Sequence, residues 1–215
     1  MAVRCLHELR RILCRFGEEV PRAGCATFGD VEALPLSFHA RDAVSLARAL
    51  LGRDLVHVVR GRARVGRIVE TEAYIGPEDL ACHSSKGRTR RTEVMFGPAG
   101  HAYLFLVYGM HLCVNVVVGD GAAVLIRALA PGPGLEGVQG LRTDGPGRLT
   151  RALGLSLKLN TLPLDRAPLF VARGVQVPRR HVEVSRRIGV DYAGEWASKP
   201  FRFHDRRSPF VSQGR

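Results

Sequence analysis

A chain of 215 residues is long enough for one domain with a sizeable core, and 46% hydrophobic residues exclude a disordered chain. No apolar run approaches the roughly 20 residues that a membrane-spanning helix needs, so we expect no membrane association. The formal net charge is +12, and only three of the 32 basic residues are lysines. An arginine surplus of this kind favours nucleic acid as the partner.

Residues 1–35 differ from the rest of the chain. Apolar residues recur at helical spacing from Leu6 to Phe16, which predicts a short amphipathic helix, and a stretch broken by Gly and Pro follows. Five arginines and five acidic residues make this segment neutral, so the whole charge surplus belongs to residues 36–215. We predict a peripheral extension over 1–35, which can be mobile, and one compact domain over 36–215.

The elements of that domain follow in chain order. Asp42 is a suitable N-cap for a helix over 43–51, with Gly52 as its stop. The β-rich runs 55–59 and 65–74 are joined through Gly61, which predicts antiparallel neighbours. Later elements are predicted as strands over 103–107, 112–118, 123–129, 169–172, 181–185 and 201–204, and as helical turns over 135–142 and 149–153. Consecutive strands with the helices set aside predict an α+β fold with a curved, mostly antiparallel sheet and peripheral helices.

The most informative segment carries two carboxylates within an apolar, β-branched run. In a strand, alternate side chains share a face, which here holds Ile68, Glu70, Glu72 and Tyr74. The turn after Tyr74 allows His83 to approach, and a carboxylate beside aromatic rings suits the activation of water next to a planar ligand. Glu72 is preferred as the working group because it lies nearer to Tyr74, and Glu70 is the alternative.

A second informative segment is a predicted hairpin with Tyr108 at its tip. Tyr103, Phe105 and Val107 share one face of its first strand. Tyr108 is either a packed corner residue or a side chain that enters a base stack and replaces an extruded nucleotide. Asn115 lies among valines, so it either forms a structural hydrogen bond or faces a cavity and reads a base edge.

Basic residues raise a separate question of partners. Arg127 lies in a near-apolar strand, where Glu72 or a DNA phosphate would serve as its counter-ion. The other basic residues cluster in a loop and in the last third of the chain: Lys86, Arg88, Arg90 and Arg91, then Arg179, Arg180, Arg186, Arg187, Arg202, Arg206 and Arg207. Phosphate contact is the preferred interpretation of these clusters, and a solvated surface is the alternative.

The five cysteines form no CxxC pair and no even framework, which predicts reduced thiols. A zinc site at Cys82 and His83 would need two further ligands at suitable spacing, so we expect no metal and no other cofactor. A thiol hydrolase that uses Cys82 or Cys113 remains a hypothesis, although no orienting carboxylate is evident for it.

Taken together, these segments resemble the alkyladenine (3-methyladenine) DNA glycosylase family over about residues 38–212. The matching segments are Ala47–Gly52, Gly66–Tyr74, Gly76–Asp79, His83-Ser84, Tyr108–Met110 with Asn115, Asp120–Ala122, Arg127–Leu129 and Ala193–Trp196. The resemblance implies a base-excision-repair enzyme that flips an alkylated or deaminated purine out of duplex DNA and hydrolyses its N-glycosidic bond. The alternative is a catalytically silent nucleic-acid-binding module on the same fold.

The resemblance also implies roles for single positions. Glu72 matches the general base, while Arg127 and the backbone near Val190 match groups that hold the attacking water. The implied base pocket comprises Tyr74, His83, Phe105 and Asn115, and the implied intercalating residues are Tyr108 and Met110. Phosphate contacts are assigned to Lys86, Arg88, Arg90, Arg91, Lys199 and Arg202.

Two departures from the family pattern concern the range of lesions. Phe105 stands where a tyrosine is familiar, and His111 stands where some relatives carry an aromatic residue.

No lysine lies in the carboxylate or hairpin segments, so a monofunctional enzyme without a Schiff-base step is predicted. We expect a monomer that acts on double-stranded DNA, in the cytoplasm with the nucleoid of a bacterium or in the nucleus of a eukaryote.

Overall fold

The described part of the chain, residues 31–136 and 139–213, forms nine strands and two α-helices in this computed structural model. The strands are β1 (Asp54–Val59), β2 (Arg62–Tyr74), β3 (Ala102–Val107), β4 (His111–Gly119), β5 (Ala122–Pro131), β6 (Asp165–Arg166), β7 (Leu169–Ala172), β8 (Val182–Ser185) and β9 (Arg202–Asp205). The helices are α1 (Ala43–Leu50) and α2 (Pro146–Leu153). Turns of 3₁₀ helix cover Leu36–His39, His83–Lys86, Glu93–Phe96, Leu157–Leu159, Arg179–His181 and Asp191–Ser198.

The strands form one curved sheet in which every pairing is antiparallel, so the predicted α+β class is confirmed. Their order is β3-β4-β5-β2-β1-β7-β6, with β9 paired to β2 and β8 paired to β9. The long strand β2 has β5 along one edge, whereas its other edge pairs first with β1 and then with β9. Its second half, which carries both carboxylates, is therefore hydrogen-bonded on both sides and held rigidly.

Helix α1 begins and ends as its sequence predicts. The side chain of Asp42 accepts a hydrogen bond from the backbone N–H of Ser45 at 2.8 Å, which satisfies a free donor of the first turn. Gly52 follows the helix with φ of 83°, and a Cβ there would meet the carbonyl oxygen of Val175 at 2.0 Å. Only glycine fits this position, and the chain can turn directly from α1 into β1.

Most of the other predicted elements are confirmed with their ends moved by one to three residues. The helical turn expected over 135–142 is wrong, because the described residues of that stretch form turns and open chain. The helix expected from Leu6 to Phe16 lies outside the described residues. Within the predicted extension, Leu34 is 5% exposed and packs in the main core, and Ala33 bridges Ala172. The boundary at residue 36 stays a prediction.

The two faces of the sheet have different environments. The main core lies on the face covered by α1 and α2, where Leu46 and Leu149 are fully buried. Ile68 belongs to this core, so the expectation that it shares a face with Glu70 is wrong. The cause is a bulge: the β2–β5 register shifts on both sides of Glu70. A bulge re-aims the side chains that follow it, and here it turns Glu70 and Glu72 away from the core.

Candidate active site

A cavity of about 360 Å³ opens on the face of the sheet opposite the main core. This volume lies within the range of small-ligand pockets. Its wall is mostly aromatic and apolar, and the ring-bearing members are Tyr74, His83, Tyr103, Phe105, Tyr108 and Tyr192. Strands β2, β3, β4 and β5 supply one side, and the loops around 81–83 and 188–192 supply the other. Such a slot accepts a planar, apolar-faced ligand.

Glu72 is completely buried directly behind the wall of this cavity. One carboxylate oxygen, Oε1, accepts a hydrogen bond from the backbone N–H of Ile188 at 2.8 Å and lies 3.2 Å from Nη1 of Arg127. The other oxygen, Oε2, accepts a hydrogen bond from the hydroxyl of Tyr74 at 2.9 Å. All three partners line the cavity, whereas Glu72 itself does not, so its carboxylate lies one layer behind the wall.

Glu70, the alternative carboxylate, is also fully buried but lies deeper. Its oxygens accept hydrogen bonds from Nε of Arg202 at 2.6 Å, Nε of Arg127 at 3.1 Å, and the N–H and hydroxyl of Ser212 at 2.7 and 2.8 Å. Of these partners only Arg127 lines the cavity. The geometry thus favours Glu72 as the carboxylate that acts on a ligand.

Arg127 joins the two carboxylates. The register shift opposite Glu70 leaves Arg127 without a Cα partner on β2, and its side chain turns to the cavity side. Burial by itself lowers the pKa of Arg127, but the negative charges of Glu72 and Glu70 outweigh it and raise the pKa above its usual value. The sequence left Glu72 or a DNA phosphate as the counter-ion of Arg127. The structure shows Glu72 in that role, with Glu70 as a second counter-ion.

Tyr74 is held between Glu72 and a second buried ion pair. Its ring lies 4.7 Å from the guanidinium carbon of Arg187, whose Nη2 donates to Oδ1 of Asp79 at 2.9 Å. Burial, followed by the charge of Glu72, raises the pKa of the Tyr74 hydroxyl well above its ordinary value, so the phenol stays protonated and donates. Both side chains of the Asp79–Arg187 pair are fully buried, and the expectation that Arg187 contacts phosphate is wrong.

His83 and Phe105 meet edge to face, with ring centroids 4.4 Å apart and planes at 76°. Burial, followed by the charge of Arg91, lowers the pKa of His83 to about 4, so the imidazole is neutral near pH 7. Its Nε2 faces Nη2 of Arg91 at 3.3 Å and can only accept there, which leaves the proton on Nδ1. Nδ1 then donates to the Tyr103 hydroxyl at 2.9 Å. Tyr103 was not among the predicted pocket residues, although it shares a strand face with Phe105.

The hairpin tip stands in solvent beside the cavity. Tyr108 is 88% exposed in a left-handed conformation with φ of 52°, and Met110 is 73% exposed on the same turn. Tyr192, 72% exposed, lines the cavity from the loop after β8. Sequence reasoning missed Tyr192, and the only available signal was its position two residues after Val190. An exposed aromatic at this tip is free to enter another molecule.

Asn115 lines the cavity while its side chain is anchored to the backbone. Its Nδ2 donates to the carbonyl oxygen of Tyr103 at 3.0 Å. The structural bond that the sequence left open is therefore made, and contact with a base edge stays a prediction. Val190, 3% exposed, lines the opposite side of the cavity next to Ile188, whose N–H binds Glu72.

The predicted phosphate contacts lie in two environments. On the loop that carries His83, four basic side chains are exposed: Lys86, Arg88, Arg90 and Arg91. Lys199 is half-buried, with its ammonium 5.6 Å from the ring of Trp196. Arg202, in contrast, is bound to Glu70, to the hydroxyl of Ser185 at 3.1 Å and to the carbonyl of Ser212 at 3.1 Å. The loop cations are available to a polyanion, and the Arg202 guanidinium is already engaged.

Cysteine chemistry finds no support in the site. Cys82 and Cys113 are buried, and burial raises the pKa of Cys113 to about 11 and that of Cys82 above its ordinary value. Both thiols are therefore protonated near neutral pH and are poor nucleophiles.

Within residues 31–136 and 139–213, no group of three His, Cys, Asp or Glu side chains is arranged to hold a metal ion. None of the helices in that part of the chain has the length and apolarity to cross a membrane.

Comparison with known proteins gives one consistent result. The family model for methylpurine-DNA glycosylase (MPG) matches residues 37–209. A protein of Myxococcus xanthus named "Putative 3-methyladenine DNA glycosylase" is 58% identical over 184 residues, which cover 84% of this chain and 94% of that protein. Proteins of the same name from Legionella pneumophila (strain Corby) and Methanocella arvoryzae are 47% and 45% identical, each over 84% of this chain and over 98% and 96% of their own lengths.

Proposed function

The chain belongs to the methylpurine-DNA glycosylase family, and from that premise we propose that it is a monofunctional base-excision-repair glycosylase for alkylated or deaminated purines. It flips the damaged nucleotide out of duplex DNA and hydrolyses the bond between base and sugar. The observation that carries the proposal is a fully buried carboxylate, Glu72, whose three partners all line a ring-walled cavity.

In the proposed reaction Glu72 is the general base. It takes a proton from a water molecule as the oxygen attacks C1′ of the flipped nucleotide, and the electron pair of the N-glycosidic bond leaves with the base. Arg127 and the backbone at Val190 hold the water, because Arg127 contacts the carboxylate and Val190 forms the adjacent wall. The buried carboxylate also stabilises positive charge that develops on the sugar.

The pocket walls suit an electron-poor base. A purine alkylated on a ring nitrogen is cationic, and stacking against Tyr74 and Phe105 gains from the attraction between a cation and an aromatic face. Burial lowers the pKa of His83 to about 4, so the imidazole is neutral near pH 7 and offers a stacking surface without electrostatic repulsion. Asn115, anchored through Tyr103, is placed to discriminate among base edges.

Binding to the duplex is assigned to the exposed parts of the same face. Tyr108 and Met110 enter the base stack and occupy the space of the flipped nucleotide. Lys86, Arg88, Arg90 and Arg91 contact phosphates beside the cavity, with Lys199 as a further contact. Arg202 is left out of this set because its guanidinium is bound to Glu70.

A strand-cleaving reaction is not part of the proposal. Such a step needs an amine that forms a Schiff base with the sugar, and none of the three lysines lines the cavity. We propose that the protein acts as a monomer on chromosomal DNA, in the cytoplasmic nucleoid if the host is bacterial and in the nucleus if it is eukaryotic.

The proposal is tested with duplexes that each carry one lesion: 3-methyladenine, 7-methylguanine, hypoxanthine or ethenoadenine. Each duplex is incubated with the protein, and abasic sites are then cleaved with alkali. We expect strand cleavage that depends on alkali for at least one lesion. Cleavage without alkali would contradict a monofunctional reaction. Tight binding of damaged duplexes without any base release would favour the silent binding module instead.

A further inference from the structure

Ser212 lies three residues beyond the family match and does not line the cavity, yet it is tied to the proposed catalytic residues. It is 5% exposed, and its backbone N–H and its hydroxyl donate to Oε2 and Oε1 of Glu70 at 2.7 and 2.8 Å. Its carbonyl oxygen accepts from Nη2 of Arg202 at 3.1 Å. All of its hydrogen-bonding groups are used inside the protein.

The hydroxyl of Ser212 also contacts Arg127. Nε and Nη2 of Arg127 lie 3.4 and 3.3 Å from this oxygen. A guanidinium only donates, and the single hydroxyl hydrogen is directed to Glu70, so the oxygen accepts from Arg127. One hydroxyl thus bridges the carboxylate of Glu70 and the guanidinium of Arg127, and it restricts the rotation of the guanidinium.

Arg127 directs its N–H donors to Glu70, Ser212 and Glu72, and this division limits its contact with Glu72. Nε is shared by Glu70 and Ser212, Nη2 contacts Ser212, and Nη1 lies 3.2 Å from Glu72. An arginine that is free to turn binds a carboxylate with two parallel hydrogen bonds. Glu70 and Ser212 occupy the Nε–Nη2 edge, one of the two edges of the guanidinium that can make such a contact, and Glu72 contacts Nη1 alone. Glu72 can then keep one oxygen edge for the water.

The arrangement is also balanced in charge. The fully buried Glu70 and Glu72 face two guanidiniums, Arg127 and Arg202, and Arg202 is fixed at its far end by Ser185. Without Glu70, Arg127 would keep Glu72 as its one carboxylate partner among the ion pairs of the described residues, which would hold Glu72 more tightly and oppose proton transfer to it.

We propose that Ser212 and Glu70 are positioning residues for base excision, which hold Arg127 so that a single nitrogen faces Glu72. This role rests on the proposed function of Glu72. Neither residue touches the ligand, so the role predicts a loss in the rate of base release and no loss in duplex binding.

The test compares Ser212→Ala, Ser212→Thr and Glu70→Gln with the wild-type protein. Single-turnover base release, the Kd for a lesion duplex and the unfolding midpoint are measured for each. Ser208→Ala is the matched control, since that hydroxyl accepts from the backbone N–H of Phe210 and does not contact Glu70 or Arg127 in the described structure. We expect Ser212→Ala and Glu70→Gln to release base about 10- to 100-fold more slowly with unchanged Kd, and Ser212→Thr to recover most of the rate.

Several outcomes would overturn the positioning role. They are a wild-type rate in Ser212→Ala, a rate that falls only as far as the folded fraction falls, and a weakened Kd that accounts for the whole loss. The proposed function is judged separately by Glu72→Gln on the same duplex. If Glu72→Gln is silent and Ser212→Ala is fully active, only the positioning role fails; if Glu72→Gln is fully active, the proposed mechanism fails as well.

Discussion

Two buried arginine–carboxylate centres lie on either side of Tyr74. The Glu72 centre consists of Glu70, Glu72, Arg127 and Arg202, and the Asp79 centre consists of Asp79 and Arg187. The hydroxyl of Tyr74 donates to Glu72, and its ring contacts the guanidinium of Arg187. Charge and burial are similar at both centres, but only the Glu72 centre has a charged member, Arg127, on the cavity wall.

The Asp79 centre is closed upon itself. The carboxylate of Asp79 binds both terminal nitrogens of Arg187 and accepts from the N–H of Ala81 at 3.0 Å. The same guanidinium donates to the carbonyls of Ala73 and Trp196 at 3.0 and 3.1 Å. It thereby connects the end of β2 to the loop that precedes β9. A buried ion pair therefore has no fixed role, and its neighbours decide whether it supports chemistry or only the fold.

The largest effect is expected from Glu72→Gln. Loss of the general base should lower single-turnover base release by about 100- to 10,000-fold. The glutamine keeps an oxygen for the Ile188 N–H and a similar volume, so duplex binding should change little. The unfolding midpoint should fall less than in Asp79→Asn, because Arg127 keeps Glu70 as a counter-ion. Base release at the wild-type rate would show that Glu72 is not the general base, and the two centres would then not differ in role.

Asp79→Asn should have the opposite effect, with a large loss of stability and a small loss of base release. It leaves the buried charge of Arg187 without a counter-ion, which typically costs about 3–5 kcal/mol in the free energy of unfolding. Urea denaturation measures this loss, with Glu72→Gln as the comparison. At a temperature where the variant is folded, base release should fall far less than in Glu72→Gln. A variant of Asp79 that is stable but inactive would contradict the division of roles.

Replacing both members of the Asp79 centre should cost less than the sum of the single changes. In a double-mutant cycle, Asp79→Leu with Arg187→Met removes both buried charges, and coupling of about 1–3 kcal/mol is expected. Full recovery is not expected, because the carbonyls of Ala73 and Trp196 lose their donor. Additive single effects would show that the ion pair itself contributes little.

The smallest effect is expected from Tyr74→Phe, which removes the contact of Tyr74 with the Glu72 centre and keeps its contact with the Asp79 centre. The ring and its contact with Arg187 remain, while the hydrogen bond to Oε2 of Glu72 is lost. Base release should slow by about tenfold, and the unfolding free energy should fall by about 1 kcal/mol. Measuring both in one preparation shows whether Tyr74 acts mainly on Glu72 or on the fold, and a larger change in stability than in rate would reverse that assignment.

The predicted elements succeeded where a local rule decides the structure. Asp42 and Gly52 mark the ends of α1 because a side-chain cap and a left-handed glycine can be recognised from the residues at each end of the helix. The hairpin around Tyr108 follows from two β-rich runs with glycine between them. The helical turn predicted over 135–142 was wrong, since the described residues of that stretch form turns and open chain.

The site could be predicted only in part. Glu72, Tyr74, His83 and Phe105 were named as site residues from the residue pattern together with the family resemblance, and the structure places them together. The buried ion pairs and hydrogen bonds behind the cavity wall could not be predicted in this way. Arg187 is bound to a carboxylate 108 residues earlier in the chain, and Ser212 to one 142 residues earlier. No local pattern distinguishes such an arginine or serine from a surface residue.

The sequence alone determined the α+β class and the strand and hairpin positions, because alternation, capping and turn chemistry act over a few residues. Tertiary structure alone decided which face of β2 each side chain takes, since the bulge beside Glu70 arises from its pairing with β5. It also decided which arginines remain at the surface. A charged side chain is buried only where distant parts of the fold supply its counter-ion and hydrogen bonds, and the linear chain does not show that distance.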